Sequence, residues 1–158
     1  MAADTTAPVE AVREDTRATL PGITGSIVFL YSQMFEDSRC FYEQDLGLHI
    51  RKDLGNVIFY CLPGTASSLG VVKQGVSAAK TPPCSAADAG RDTVMFCLLS
   101  DDVSDWHERL VQRGRAFEQP PARNERFGIF NALLRDPDGY LIEIQQFLQE
   151  EVQEAFCG

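Results

Sequence analysis

One programme runs twice along this chain, and that duplication constrains its fold more than any other feature. In the first run, residues 27–31 (IVFLY) are a continuous apolar stretch with β-branched and aromatic members, long enough for a buried strand and too short for a buried helix. Glu36-Asp37-Ser38 then supplies acidic and capping groups that favour a helix start. Phe41, Tyr42 and Leu46 fall on one helical face, and Gly47 stands where a helix-ending glycine belongs. Three strands follow, at residues 49–53, 56–62 and 69–73. The second run opens with a strand at residues 95–99 (MFCLL). Asp101-Asp102-Val103-Ser104 caps a helix carrying Trp106, Leu110 and Val111, and Gly114 ends it. A short strand begins at Phe117, another spans 127–134 and the last spans 140–147. Asp136-Pro137-Asp138-Gly139 is a hairpin signal: proline pre-sets the first turn torsion, the aspartates bond to nearby amides and glycine takes the left-handed position.

Gly47 follows Ile27 by 20 positions and Gly114 follows Met95 by 19, so the halves match in length as well as order. The reading is an α+β domain of two βαβββ modules, residues 23–74 and 93–148, whose sheets enclose a cleft and whose helices cover the outer faces. Residues 75–92, rich in Ser, Ala, Gly and Pro, read as a linker. Residues 1–22 are expected to form a flexible or docking arm, and 149–158 a C-terminal tail.

A net charge of −9 argues against a nucleic-acid partner, because phosphate binding needs a basic face. No run approaches the roughly 18 apolar residues that mark a membrane span, so no membrane partner is expected. The opening segment lacks an apolar core and carries Asp4, Glu10, Glu14 and Asp15, unlike a secretory or transit signal. The five cysteines form no CxxC pair. Cys40, Cys61 and Cys97 lie in apolar runs and read as small core residues of a reducing, cytoplasmic protein.

Ser38-Arg39-Cys40-Phe41-Tyr42 followed by Asp45-Leu46-Gly47-Leu48, and later Ser100-Asp101-Asp102-Val103, Gly114 and the stretch Arg135 to Glu143 (RDPDGYLIE), resemble the glyoxalase/bleomycin-resistance, or vicinal oxygen chelate, superfamily. The resemblance covers residues 23–148. It implies two modules curled into an incomplete barrel around a cleft, with metal ligands, usually His or Glu, on the first and last strands of each module. It also implies a homodimer. Members include glyoxalase-type lyases, epimerases, extradiol dioxygenases, fosfomycin-modifying transferases and metal-free drug-binding proteins.

Carried over position by position, the ligand sites fall on Ile27, Met95, Gly70 and Glu143. Only Glu143 has a ligand-type side chain, and one carboxylate cannot hold a metal that needs three or more protein ligands. No metal or other cofactor is therefore expected. His107, on the second helix, and His49, just after the first, read as surface residues and lack the spacing of a helical metal pair. Alternation along the strands adds Phe29 and Tyr31, Cys97 and Leu99, and Leu141 and Gln145 to the cleft, with Phe59 and Asn131 from neighbouring strands. Such an apolar and aromatic surface, with a few polar groups, suits a small organic ligand. Glu143 is also a candidate general base, since desolvation raises a carboxyl pKa. The expectation is a metal-independent small-molecule-binding protein. The alternatives are a metal-dependent lyase, isomerase or dioxygenase with non-standard ligands, and an interaction module whose cleft is filled by its own side chains. Residues 75–92 and 118–128 read as the loops that set specificity.

Overall fold

The computed structural model of the protein describes residues 25–76 and 94–157. Module one contains β1 (Ile27–Ser32), α1 (Phe35–Cys40, continued by a π-helical turn at Phe41–Asp45), β2 (Ile50–Asp53), β3 (Val57–Cys61) and β4 (Ser68–Lys73). Module two contains β5 (Met95–Leu99), α2 (Val103–Gln112), β6 (Phe117–Asn124), β7 (Ile129–Arg135) and β8 (Leu141–Phe147). The sheets run β1-β4-β3-β2 and β5-β8-β7-β6, and in each the module's first and last strands pair in parallel. The fold is α+β, two βαβββ modules with open sheets and no closed barrel.

One face of each sheet lies under its helix. Ile58, Tyr60, Leu69 and Val71 join Phe41 and Tyr42, Leu134, Ile142 and Ile144 join Val103 and Leu110, and all of these belong to one continuous core. Each large apolar side chain so buried contributes about 1.5–3 kcal/mol. Gly47 (φ 68°) and Gly114 (φ 79°) end the two helical segments in the left-handed conformation that glycine adopts without steric cost. Asp102 caps α2 as expected, its side chain accepting from the Asp105 amide at 2.8 Å.

Helix α1 starts differently. Met34 occupies its N-cap without a side-chain cap, and the acidic residues of its first turn do not supply one. The carboxylate comes instead from the other module. Asp138 Oδ1 accepts from the Gln33 amide (2.7 Å) and the Met34 amide (3.0 Å). Its Oδ2 accepts from Ser38 Oγ (2.6 Å) and from Ser32 Oγ. In the same hairpin, Asp136 accepts from Tyr42 Oη at 2.7 Å and from the amides of Asp138 and Tyr140. Burial, more than any neighbour, pushes the Asp136 carboxyl up to about 6, and burial with the adjacent Asp136 raises Tyr42 well above its ordinary value. Tyr140 Oη completes the joint by accepting from the Tyr31 amide and donating to the Tyr31 carbonyl, both at 3.1 Å. On a second contact, buried Asp45 holds Arg113 (3.3 Å) and Arg115 (2.5 Å).

Three expectations change. Residues 117–124 form a full strand despite Pro120-Pro121, so much of the 118–128 segment is not a loop. The prolines are tolerated because β6 is an edge strand whose register slips on either side of Gln119. The tail forms α3 (Glu150–Cys157), held by Gln153, which donates to Asp101 Oδ1 (2.8 Å) and accepts from the Phe147 amide (2.9 Å). Cys40 and Cys97 are exposed and Cys61 half-buried, so none is a core residue: each sits on the face of its helix or strand turned away from the core. The 1–22 arm and nearly all of the 75–92 linker lie outside the described residues. Among the described residues no helix is long and apolar enough to cross a membrane.

Candidate functional site

Alternation on β5, β8 and β7 places Met95, Cys97 and Leu99, then Leu141, Glu143 and Gln145, then Asn131 on the sheet face opposite α2. Register sets Cys97 beside Glu143, and Gln145 between Leu99 and Asn131. Glu143 is only 5% exposed, and its carboxylate is met by neutral donors. Asn131 Nδ2 donates to Oε1 at 2.6 Å, and the Cys97 thiol bonds to the same carboxylate. Gln119 Nε2 in turn donates to Asn131 Oδ1 at 3.2 Å, fixing the amide so that its nitrogen faces Glu143. Burial of the sulfur, then the Glu143 charge, pushes the Cys97 thiol up to about 12, although the residue keeps exposed surface. A carboxylate has about four acceptor positions. With two used, Glu143 can take further donors from a ligand.

The module-one members stand on the other sheet. Ile27 is 50% and Phe29 44% exposed; the Phe29 ring meets Phe59 edge-on at 5.9 Å, and Tyr31 is half-buried. Phe29 also covers Gly70: a Cβ built there would lie 2.5 Å from its ring. A ligating side chain at 70 thus has no room unless the ring moves. Ile27 offers no donor atom, and Met95 only a soft thioether. Among the described residues no three His, Cys, Asp or Glu side chains converge to hold a metal ion. The donor set does not fit a catalytic metal. Nor, among the described residues, does any hydrogen bond or ring contact join Ile27, Phe29 and Phe59 to the Glu143 group.

His49 is exposed, and His107 packs its ring edge-on against Phe117 at 4.7 Å, half-buried rather than fully solvated. Gln119 was not anticipated as a site residue. Its strand's two register slips hide its side-chain hydrogen bond with Asn131 from any reading by alternation. Cys97 and Leu99 also line a separate cavity of about 610 Å³ between β5 and the β3–β4 turn.

The family model described as the glyoxalase/bleomycin resistance protein/dioxygenase superfamily matches residues 25–144. The chain belongs to that superfamily. Among solved structures, this superfamily member is similar to a glyoxalase/bleomycin resistance protein/dioxygenase from Nocardioides, at 22% identity and TM-score 0.64 over 85% of this chain and 89% of that one. It is also similar to a lactoylglutathione lyase from Agrobacterium tumefaciens, at 23% identity and TM-score 0.60 over 80% and 95% of the two chains. A third, a glyoxalase/bleomycin resistance protein from Streptomyces, has 24% identity and TM-score 0.58 over 77% and 99%. At these identities the likeness establishes the fold alone. No curated protein matches the chain.

Proposed function

We propose that this superfamily member binds a small organic molecule at the Glu143 face without a metal ion, and that a second copy completes the cleft. The observation that carries the reading is the Glu143 carboxylate, buried yet met among the described residues by just the Asn131 amide and the Cys97 thiol. Such a group recognises a ligand N–H or O–H, with Met95, Leu99 and Leu141 packing on its apolar body. If chemistry occurs there, Glu143 is the proton acceptor. The neighbouring lactoylglutathione lyase favours the enzymatic alternative, but Phe29 over Gly70 and the side chains of Ile27 and Met95 speak against its metal-dependent form.

The dimer is supported by the outer edges of β1 and β5, which pair with no described strand and expose Val28 and Phe29, and Val94 and Met95. The free cysteines Cys40, Cys61 and Cys97 suit a cytoplasmic setting.

The test is a thermal-shift screen of small amines, phenols and amides on protein purified without chelator, with parallel elemental analysis and sedimentation. A dimer without stoichiometric metal is expected, with hits that bind at least about ten-fold more weakly to Glu143→Gln. Stoichiometric Zn, Ni, Mn or Fe overturns metal independence, a monomer overturns the shared cleft, and a screen without hits favours the self-filled interaction module.

A further inference from the structure

The two modules correspond residue for residue where each first strand enters its helix. Met34 and Asp102 are both N-caps, Phe35 and Val103 both open a helix and are buried, and Tyr31 therefore corresponds to Leu99. The last strands correspond as well. Gly70 pairs with Phe29 as Glu143 pairs with Cys97, so Ser67 is the counterpart of Tyr140.

Alternate residues of a parallel edge strand turn their N–H and C=O away from the neighbouring strand. The Ser32 carbonyl accepts from Gln74 beyond β4, and the Ser100 amide donates to Gln145 of β8, so Tyr31 and Leu99 turn their backbone groups outward. At Tyr31 both groups are taken by the Tyr140 hydroxyl, a phenol supplied by the other module's hairpin. At Leu99 the corresponding residue is a serine, too short to reach, and its hydroxyl bonds to Ser26 at 2.7 Å. Between Leu99 and residues 62–65 of the turn that leads to Ser67 lies the cavity of about 610 Å³, within the usual range for small-molecule sites. Leu46, Leu62, Phe96, Trp106 and Phe156 line it, and so does Leu99. Glu143 is not among its lining residues.

We propose that this cavity binds a small aromatic molecule bearing a phenolic hydroxyl. The ring lies among Phe96, Trp106 and Phe156, and the hydroxyl makes with Leu99 the pair of bonds that Tyr140 makes with Tyr31. One half of the duplicated fold carries its own plug; the other keeps an open socket of the same kind.

Trp106 is the chain's single tryptophan and lines the site, so its fluorescence reads occupancy directly. p-Cresol, the tyrosine side chain as a free molecule, is titrated against the full chain, with toluene as the hydroxyl-free control. A saturable change at one site per chain is expected, with toluene at least about ten-fold weaker because it leaves the Leu99 groups unpaired. Ser67→Tyr supplies the missing plug and is expected to weaken p-cresol binding by at least about ten-fold. Should that variant not fold, amide spectra of the wild-type chain decide, with shifts expected at Leu99 and Cys97 and at the Trp106 indole. The proposal is overturned by an unsaturable response, by equal affinity for toluene, by a folded Ser67→Tyr that binds like wild type, or by shifts centred on the Asn131 and Gln119 amides.

Discussion

Replacing Asp138 by alanine removes the one carboxylate that both caps α1 and ties the modules together. Its four bonds are not equivalent. The Gln33 and Met34 amides are exposed and regain water, so their loss costs no more than an ordinary cap, about 1 kcal/mol. Ser32 and Ser38 are 1% and 0% exposed, and their hydroxyls lie 3.3 Å from each other. One of them can donate to the other, which strands a single buried hydroxyl at about 1–3 kcal/mol. The expected loss is about 3 kcal/mol, a large share of the 5–15 kcal/mol that stabilises a domain of this kind. At about 2–4 °C per kcal/mol for a chain of this size, the midpoint falls by about 6–12 °C.

Urea unfolding followed by both far-ultraviolet dichroism and Trp106 fluorescence measures this loss and tests the joint as well. Trp106 stands on α2 and borders a cavity it shares with Leu46 and Leu62, and the Asp136–Tyr42 and Asp45–arginine contacts still tie the modules, so the two transitions are expected to coincide. A cycle with Ser32→Ala and Ser38→Ala isolates the cause. Without the two hydroxyls, Asp138→Ala should cost only the cap, about 1 kcal/mol, because removing both partners of a buried bond is nearly neutral. A loss below about 1 kcal/mol in the wild-type background, or an undiminished loss without the serines, refutes the reasoning.

Asp136 titrates at about 6 in the fold against an ordinary 3.8, so between those values the folded chain holds a proton the unfolded chain has released. Its contribution is thus fully present below about pH 4 and is lost as the pH rises to about 6; the unfolding free energy of wild type relative to Asp136→Asn, from urea titration, should fall across that window by up to about 3 kcal/mol. The thiol of Cys97, pushed up to about 12 by burial and Glu143, leaves on the order of one thiolate in 10³ or fewer at mildly alkaline pH. Peptide-resolved alkylation should therefore modify exposed Cys40 well before Cys97, and Glu143→Gln should speed Cys97. Gly70→Ala places a Cβ against the Phe29 ring and is expected to cost about 1–2 kcal/mol by urea titration. Adding Phe29→Ala should recover most of that cost, and simple additivity of the two substitutions would contradict the contact.

The paired modules were legible because strand and helix signals are local: an apolar run, a capping aspartate and a terminal glycine recur in both halves, and Asp102, Gly47 and Gly114 do what their positions imply. Glu143 and its face were legible for a similar reason, since alternation carries side-chain direction along a strand once one position is fixed. What sequence could not yield is anything that depends on how one element meets another. The hairpin signal at 136–139 was readable as a turn, but its docking on Ser32 and Ser38 is a contact between residues about a hundred positions apart. Gln119 was lost to the slipped register of β6. The cysteines misled because apolar neighbours in sequence alternate between the two faces of a strand, and Cys97 lies on the one turned away from the helix and the core.

The asymmetry between the halves is what both proposed sites rest on. Identical modules would offer two like hairpins and two like sheet faces. Here one hairpin carries Asp136, Asp138 and Tyr140, whereas its counterpart carries Pro63, Thr65 and, at Ser67, a serine that stops short. One sheet face keeps a buried carboxylate at 143, whereas its counterpart has Gly70 beneath the Phe29 ring. These differences are coupled by geometry. A large side chain at 70 would displace Phe29 from its place on the sheet face opposite α1, and a carboxylate in the β3–β4 turn would stand in a cavity that already holds Asp101.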